Sequence, residues 1–144
     1  MLYYNWGIIV KPKVYLAAQY MWRERIKEFA ERLEDAGYTI TSTWLHERKP
    51  LAIDLTDLSD RFNKSHARQD LLDLYASDIL ILFTVDPTTP VKRGGRHVEF
   101  GLAYAYNKRV IVCGPKENIF HYLDGVSQRN TFEEIFQMLE EEFK

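Results

Sequence analysis

Glu99 and Asp70 are the two acidic side chains that the sequence pattern brings toward one potential site. Glu99 follows a pair of glycines, Gly94 and Gly95, in a loop between an apolar run and a small-residue helical pattern at residues 98–106. A strand, a glycine loop and a helix in this order commonly bind a phosphate or a sugar in α/β proteins. A carboxylate nucleophile with a second acid suits displacement at the anomeric carbon of a sugar, where a covalent glycosyl-enzyme can form.

Each of the two acids also has a simple structural explanation. Glu99 is predicted to lie in the first turn of its helix, where the helix dipole and free N–H groups favour a carboxylate whatever its function. Asp70 is predicted on the flank of a buried stripe formed by Ala67, Leu71 and Leu74, about 60° from Ala67 at roughly 100° per residue. It is equally explained as a solvated acid at the edge of a helix, so the residue types leave both interpretations open.

The elements that must position these side chains alternate along the chain. Strands are predicted at residues 13–18, 38–45, 79–85, 109–113 and 126–129, and helices at residues 22–36, 57–76 and 98–106 and from Thr131 onward, with a short helical turn at 118–123. Gly37 supplies a helix stop, and Thr131 with Glu134 forms a capping box.

This alternation predicts an α/β fold, a single-domain Rossmann- or flavodoxin-like three-layer sandwich with about five parallel strands. Residues 1–12 are predicted to be an N-terminal extension, and residues 13–144 the α/β domain. In such a sandwich a ligand binds at the carboxyl ends of the strands, which the loops after each strand surround.

The bulk composition excludes several classes of protein. The chain has 144 residues, 46% of them hydrophobic and 28% charged, as in an ordinary globular domain with its own core. Its net charge of −2 provides no field that would attract a nucleic acid polymer or a membrane. The single cysteine, Cys113, suits a reducing compartment, and residues 1–10 lack the features of a signal peptide. These features predict a cytoplasmic protein.

Three segments together resemble the nucleoside 2-deoxyribosyltransferase superfamily, which also contains N-glycosidases that act on nucleoside 5′-monophosphates. The segments are residues 14–18, 70–78 and 94–112, and the resemblance extends in order over roughly residues 13–123. The most specific piece is the block Gly-Gly-x-x-x-Glu-x-Gly-x-Ala-x-Ala that begins at Gly94, followed by a basic residue and a strand.

The resemblance implies a role for each matching position. Glu99 matches the nucleophile that attacks C1′ as the base departs, and Asp70 matches the acid that helps bind and protonate the leaving base. Tyr15 matches a first-strand tyrosine near the nucleophile. Gly94 and Gly95 match the loop through which the backbone approaches the sugar or its 5′ substituent.

The loop before Glu99 departs from the family pattern. The transferases carry an additional acid there, whereas this chain has basic residues, and among them Arg93, Arg96 and His97 are candidates to bind substrate. A cationic loop at a helix N-terminus suits a 5′-phosphate, although a solvated basic loop explains the same residues. Trp44, at a predicted strand end, is a candidate to stack on a base or else a core residue.

These observations predict an enzyme that cleaves the N-glycosidic bond of a (deoxy)nucleoside or nucleotide and transfers the (deoxy)ribosyl group to another base. The main alternative is a nucleoside 5′-monophosphate N-glycosidase, in which water accepts the sugar. Further alternatives are a non-catalytic nucleotide-binding sensor and an NAD-type glycohydrolase. The expected partner is therefore a small-molecule nucleoside or nucleotide.

No cofactor and no metal are predicted, since His66, His121 and Cys113 show no metal-ligand spacing and there is no dinucleotide-binding or Walker motif. A homodimer or larger homo-oligomer is expected from the resemblance and from the aromatic residues available for an interface, which are Tyr104, Tyr106, Phe120 and Tyr122.

Overall fold

The structure of the protein is a computed structural model that describes residues 3–5, 8–47, 60–90 and 94–144. Its strands are β1 (Tyr3–Asn5), β2 (Ile8–Val10), β3 (Lys13–Ala17), β4 (Thr39–Ile40), β5 (Ile79–Phe83), β6 (Arg109–Cys113) and β7 (Val126–Arg129). Its α-helices are α1 (Arg23–Asp35), α2 (Asp60–Ala76), α3 (Gly95–Ala105) and α4 (Phe132–Glu142). Short 3₁₀ turns lie at Tyr20–Trp22, Thr43–His46 and Ile119–Tyr122. Within these ranges no helix is long and apolar enough to cross a membrane.

Five strands form one parallel sheet in the order β4-β3-β5-β6-β7. This is the flavodoxin-type order, in which the first strand of the sheet lies between the second and the third. The predicted α/β sandwich with about five parallel strands is confirmed. β1 and β2 form a separate antiparallel pair, which the sequence pattern does not predict because three-residue strands are too short to show a period.

The sheet is covered on both faces, which explains why β5 is buried along its whole length. On one face α1 and α4 meet over the sheet, where the ring of Phe29 lies 4.2 Å from that of Phe132 and 5.6 Å from that of Phe83, centroid to centroid. On the other face α2 and α3 pack against each other and against β3. The second face carries Asp70 and Glu99, so it is the face on which the candidate site lies.

The buried side of α2 differs from the predicted one. Ala67 is exposed and Leu71 is 36% exposed, whereas Asp73 and Leu74 are buried. The helix is turned so that Asp73 is buried beside Leu74, because Asp73 accepts hydrogen bonds from Thr43 in the 3₁₀ turn and from Gln69 on α2. The predicted start of this helix at residue 57 lies outside the described residues.

The second strand of the sheet is also shorter than predicted. β4 has two residues instead of the eight in the predicted strand at 38–45, and the chain then enters the 3₁₀ turn at Thr43–His46. The Leu16 N–H donates to the Ser42 hydroxyl at 2.8 Å, and the Trp44 indole N–H donates to the Leu16 carbonyl at 2.8 Å. Side chains thus take the place of a strand beside Leu16, and β-branched alternation alone does not reveal such a substitution.

Gly114, directly after β6, is at a position where a side chain does not fit. Its φ is +116°, and an added Cβ would lie 2.6 Å from the Thr84 hydroxyl oxygen. We expect Gly114→Ala to lower the free energy of unfolding by about 1–3 kcal/mol, measured by urea denaturation. Gly101→Ala in α3 is the matched control, since no atom of the described residues outside the backbone of α3 and the two chain neighbours of Gly101 lies within 4 Å of its added Cβ, and it should stabilise by roughly 0.5–1 kcal/mol. Equal effects of the two substitutions would contradict this account.

Candidate active site

Tyr15 is the residue around which the candidate site is built. It lies in the middle of β3, is fully buried, and its hydroxyl donates a hydrogen bond to the Glu99 carboxylate. β3 and β5 are neighbours in the sheet, and the chain leaves them in opposite directions, so a crevice forms between their carboxyl ends. The Tyr15–Glu99 contact therefore lies beside the topological switch point, where α/β sheets bind ligands.

Three acidic side chains lie near enough to the Tyr15 hydroxyl to influence its pKa. Burial raises the pKa of Tyr15 far above its usual range, and the negative charges of Glu99 and Asp70 raise it further, as does the hydrogen bond to Glu99 and, least, the charge of Asp73. The hydroxyl consequently keeps its proton at neutral and alkaline pH and acts as a hydrogen-bond donor. The structure thus brings together the three predicted catalytic residues Glu99, Asp70 and Tyr15.

Glu99 lies in the second turn of α3 and not in the first. The helix begins at Gly95 with Gly94 as its N-cap, three residues earlier than predicted, and its first turn contains no acidic residue. The expectation that Glu99 is a first-turn helix acid is therefore wrong, and the helix dipole, which acts within the first turn, does not account for its presence. Its contact with Tyr15 does.

Asp73 is a further buried acid that the sequence pattern did not single out. Its carboxylate accepts hydrogen bonds from the Thr43 N–H at 3.0 Å, the Thr43 hydroxyl at 2.5 Å and the Gln69 amide at 2.8 Å. These bonds hold the 3₁₀ turn against α2, beside the carboxyl end of β3. The available signal was the spacing of Asp70 and Asp73, since residues three apart lie on one side of a helix.

Trp44 lies in the core. Its side chain is only 5% exposed overall, and its indole N–H is bonded to the Leu16 carbonyl. Trp44 was expected either to stack on a base or to belong to the core, and the structure shows it as a core residue.

Gly94 and Gly95 lie beside open space. Both are exposed, and no described atom lies within 4 Å of a Cβ added at either of them. A ligand could therefore approach the backbone at the start of α3. Arg93 lies outside the described residues, so its predicted part in binding stays a prediction.

Arg96 is buried in an ion pair with Glu117, which follows β6. Two parallel hydrogen bonds join the groups, Nη1 to Oε2 at 2.7 Å and Nη2 to Oε1 at 2.6 Å, and only 2% and 11% of the two side chains are exposed. Burial by itself would raise the pKa of Glu117, but the hydrogen bonds and charge of Arg96 outweigh it and lower that pKa. Arg96 is thus neutralised by a residue that the sequence pattern did not single out.

Two histidines flank this ion pair. His97 is half-buried, with Nε2 3.4 Å from Glu117 Oε1, and burial together with the Arg96 charge lowers its pKa. His121 is fully buried, and its Nδ1 accepts the Glu117 N–H at 3.0 Å. Burial lowers the pKa of His121 to about 4, with the His97 charge as the next cause. Both rings are therefore neutral at pH 7, which leaves His97 without the positive charge expected of a phosphate-binding residue.

His121 should make stability depend on pH in the acid range. Its pKa is near 6.5 when unfolded and about 4 when folded, so the unfolded state binds the proton first and stability falls as the pH drops from 6.5 to 4. We expect this fall to be about 2–3 kcal/mol smaller in His121→Asn, measured by urea denaturation at each pH. The same substitution at the exposed His46 should leave the wild-type fall unchanged. An identical fall in wild type and His121→Asn would contradict the assignment.

Possible metal ligands and the single cysteine are the last features of the site region to consider. Within the described ranges no group of three or more histidine, cysteine, aspartate or glutamate side chains could hold a metal ion. Burial raises the pKa of the Cys113 thiol to about 11, so Cys113 is a protonated core residue at neutral pH.

The fold and the site define an α/β sandwich in flavodoxin-type order, with a buried tyrosine on its first parallel strand bonded to a glutamate on the helix after the third. Among solved structures, a 2-deoxyribosyltransferase from Bacillus psychrosaccharolyticus matches at a TM-score of 0.63 and 20% identity, over 88% of this chain and 95% of that one. A CMP N-glycosidase from Clostridium botulinum matches at a TM-score of 0.55 and 22% identity, over 89% and 98%.

A conserved protein from Enterococcus faecalis V583 also matches, at a TM-score of 0.65 and 17% identity, over 92% of this chain and 99% of that one. Comparison with protein-family models finds no match, and neither does comparison with curated protein sequences. At these identities the likeness is one of fold. The fold that the resemblance to the nucleoside 2-deoxyribosyltransferase superfamily implies is confirmed.

Proposed function

We propose that this protein is an enzyme of the nucleoside 2-deoxyribosyltransferase type, which cleaves an N-glycosidic bond and transfers the (deoxy)ribosyl group to another base. The observation that carries the proposal is the hydrogen bond from Tyr15 to Glu99 at the switch point, with Asp70 close enough to act on the same hydroxyl. Acidic side chains gathered at one buried tyrosine serve no evident packing purpose, because bringing like charges together at a partly buried place is unfavourable.

The first half-reaction forms a bond between a Glu99 carboxylate oxygen and C1′ while the bond from C1′ to the base nitrogen breaks. The electron pair of the broken bond goes to the base, and Asp70 delivers a proton to it. The Tyr15 hydroxyl holds one oxygen of Glu99 by its hydrogen bond, which leaves the other oxygen to attack. Charge develops on the sugar ring in this step, as in other glycosyl transfers through an oxocarbenium-like transition state.

The second half-reaction decides between transferase and hydrolase. If a nitrogen of a second base attacks C1′, the bond from C1′ to Glu99 breaks, the proton of that nitrogen goes to the Asp70 carboxylate, and a new nucleoside is released. If water attacks, its proton goes to Asp70 in the same way, free sugar is released, and the protein is an N-glycosidase. The likeness to a CMP N-glycosidase as well as to a 2-deoxyribosyltransferase keeps the hydrolase as the second candidate.

A non-catalytic sensor is less well supported. A sensor has no need to direct two carboxylates at one protonated hydroxyl, whereas a displacement at C1′ uses both acids in different roles. The sensor would show thermal stabilisation by a ligand without turnover. No feature of the described residues favours an NAD-type glycohydrolase.

The experiment that tests the proposal is incubation of the protein with a panel of deoxynucleosides, ribonucleosides and their 5′-monophosphates, each with and without an excess of a second base. Chromatography then separates free base, free sugar and new nucleoside. A new nucleoside supports transfer, and free sugar in the presence of the second base supports hydrolysis. Failure of every substrate to release base would contradict the proposal.

The expected homo-oligomer stays a prediction. Tyr106, Phe120 and Tyr122 are 51%, 58% and 67% exposed, as interface residues would be in a single chain. Tyr104 is only half-buried, and its hydroxyl donates to the Asp124 carbonyl at 3.1 Å.

A further inference from the structure

Arg96 and Glu99 lie three residues apart on α3, so their side chains are neighbours on one side of the helix. Arg96 is the one nearer to the helix start, where Gly94 and Gly95 adjoin open space. In the proposed function, on which this inference rests, Glu99 reaches C1′ and the glycine loop reaches the 5′ end of the sugar. Arg96 is then the described arginine that lies nearest along the chain to the loop that would meet a group on the 5′ carbon.

Glu117 prevents Arg96 from acting as a free cation. Both terminal nitrogens of the guanidinium are bonded to the Glu117 carboxylate at 2.6 and 2.7 Å, in the paired geometry that arginine would otherwise offer to a phosphate. The other donors to Glu117 are the Val85 N–H at 3.4 Å and a half-buried histidine, His97, whose low pKa keeps it uncharged. The charges of Arg96 and Glu117 therefore cancel each other at this end of the site.

A 5′-phosphate would be unfavourable in such a place. A phosphate monoester carries a charge of about −1.5 to −2 at pH 7. Glu117 would repel it, and the charge of Arg96 is already compensated by Glu117. A nucleoside has only a neutral 5′-hydroxyl and does not meet this repulsion. Specificity of this kind, in which an unfavourable interaction rejects one of two similar ligands, is common in binding sites.

We propose that Glu117 is a specificity-determining residue, which by pairing with Arg96 makes the site select nucleosides over nucleoside 5′-monophosphates.

The test compares kcat/KM for a deoxynucleoside and for its own 5′-monophosphate in wild type and in Glu117→Gln. Wild type should prefer the nucleoside. Gln has nearly the shape of Glu but no charge, so it frees the Arg96 cation and removes the repulsion, and the ratio of monophosphate to nucleoside should rise about tenfold or more. Glu133→Gln is the matched control, because it breaks the exposed Arg32–Glu133 ion pair on the other face of the sheet, and its ratio should equal that of wild type.

A further variant keeps the proposal testable if Glu117→Gln folds poorly, and a binding measurement tests it without catalysis. The double variant Arg96→Met/Glu117→Met removes the repelling anion without supplying a cation, so its ratio should lie between those of wild type and Glu117→Gln. In a thermal shift assay, the 5′-monophosphate should raise the Tm of Glu117→Gln more than that of wild type, which requires no turnover.

The possible outcomes separate this inference from the proposed function. A wild-type protein that releases base from the monophosphate in preference to the nucleoside would overturn the inference and leave the proposed function standing. So would an unchanged ratio in both the Glu117→Gln and the double variant. No base release from either substrate would contradict the proposed function itself, and the inference with it.

Discussion

Glu99→Gln is expected to lower the rate of base release by about 10⁴-fold, the order of loss seen when an enzyme loses its nucleophile. Gln has the size of Glu and still accepts a hydrogen bond from the Tyr15 hydroxyl, so the variant should fold. Its amide oxygen, however, lacks the charge needed to attack C1′. The loss should fall on kcat, since substrate binding does not depend on the attack. Steady-state release of free base from the best substrate of the panel measures the effect.

Two observations accompany this prediction. Glu133→Gln, the same chemical change in an exposed ion pair far from Tyr15, should release base at the wild-type rate. Wild type quenched in acid without an acceptor base should carry the mass of one (deoxy)ribosyl group on the peptide that contains Glu99, and Glu99→Gln should not. Equal base release by wild type and Glu99→Gln would remove Glu99 from the mechanism.

Arg96→Met is expected to lower the free energy of unfolding by about 3–5 kcal/mol, the typical cost of leaving the other member of a buried ion pair without its partner. The cost is expected to be large because the side chains of Arg96 and Glu117 are only 2% and 11% exposed, so water cannot solvate the charge that remains. Urea denaturation of the single variant and wild type measures the difference.

The double variant Arg96→Met/Glu117→Met should recover most of that loss and lie within about 1 kcal/mol of wild type. An apolar pair of similar volume needs no desolvation of charge, so it is often as stable as the buried ion pair that it replaces. Arg96→Met, Glu117→Met and the double variant form a mutant cycle, and the non-additivity of their free energies of unfolding measures the coupling of the pair. A double variant as unstable as either single variant would show that packing, and not charge pairing, determines the cost.

The role proposed for Glu99 could be inferred from the sequence, whereas the pairing of Glu117 with Arg96 could not. Glu99 follows a glycine pair after a buried strand, and the ends of parallel strands meet at one edge of a sheet, so its place in a common site with Asp70 could be predicted. Glu117 carries no local signal of its role. It is one acid in a loop, 21 residues from Arg96, and neither periodicity nor a motif relates the two.

The errors at the second strand and at α2 have the same origin as the missed pairing of Glu117, namely contacts between residues far apart in the sequence. The strand predicted at residues 38–45 is mostly absent because Ser42 and Trp44 bond with side-chain atoms to Leu16, about 26–28 residues earlier. The inner face of α2 is turned because Asp73 bonds to Thr43, 30 residues earlier. In each place a hydrogen bond to a distant residue outweighs the local preference of the segment. A window of ten or fifteen residues does not contain both partners of such a bond.

The sequence by itself determined the five-stranded parallel sheet, the alternation of helices and the approach of Asp70 and Glu99 to one site, because apolar periodicity and the geometry of parallel strands are properties of short segments. The place of Tyr15 beside Glu99 was expected from the family resemblance. Only the tertiary structure decided that Arg96 is neutralised, that Trp44 belongs to the core and that Glu99 lies in the second turn of α3. These outcomes depend on which distant polar groups come within hydrogen-bond distance once the sheet has formed, and burial makes each such pairing energetically decisive.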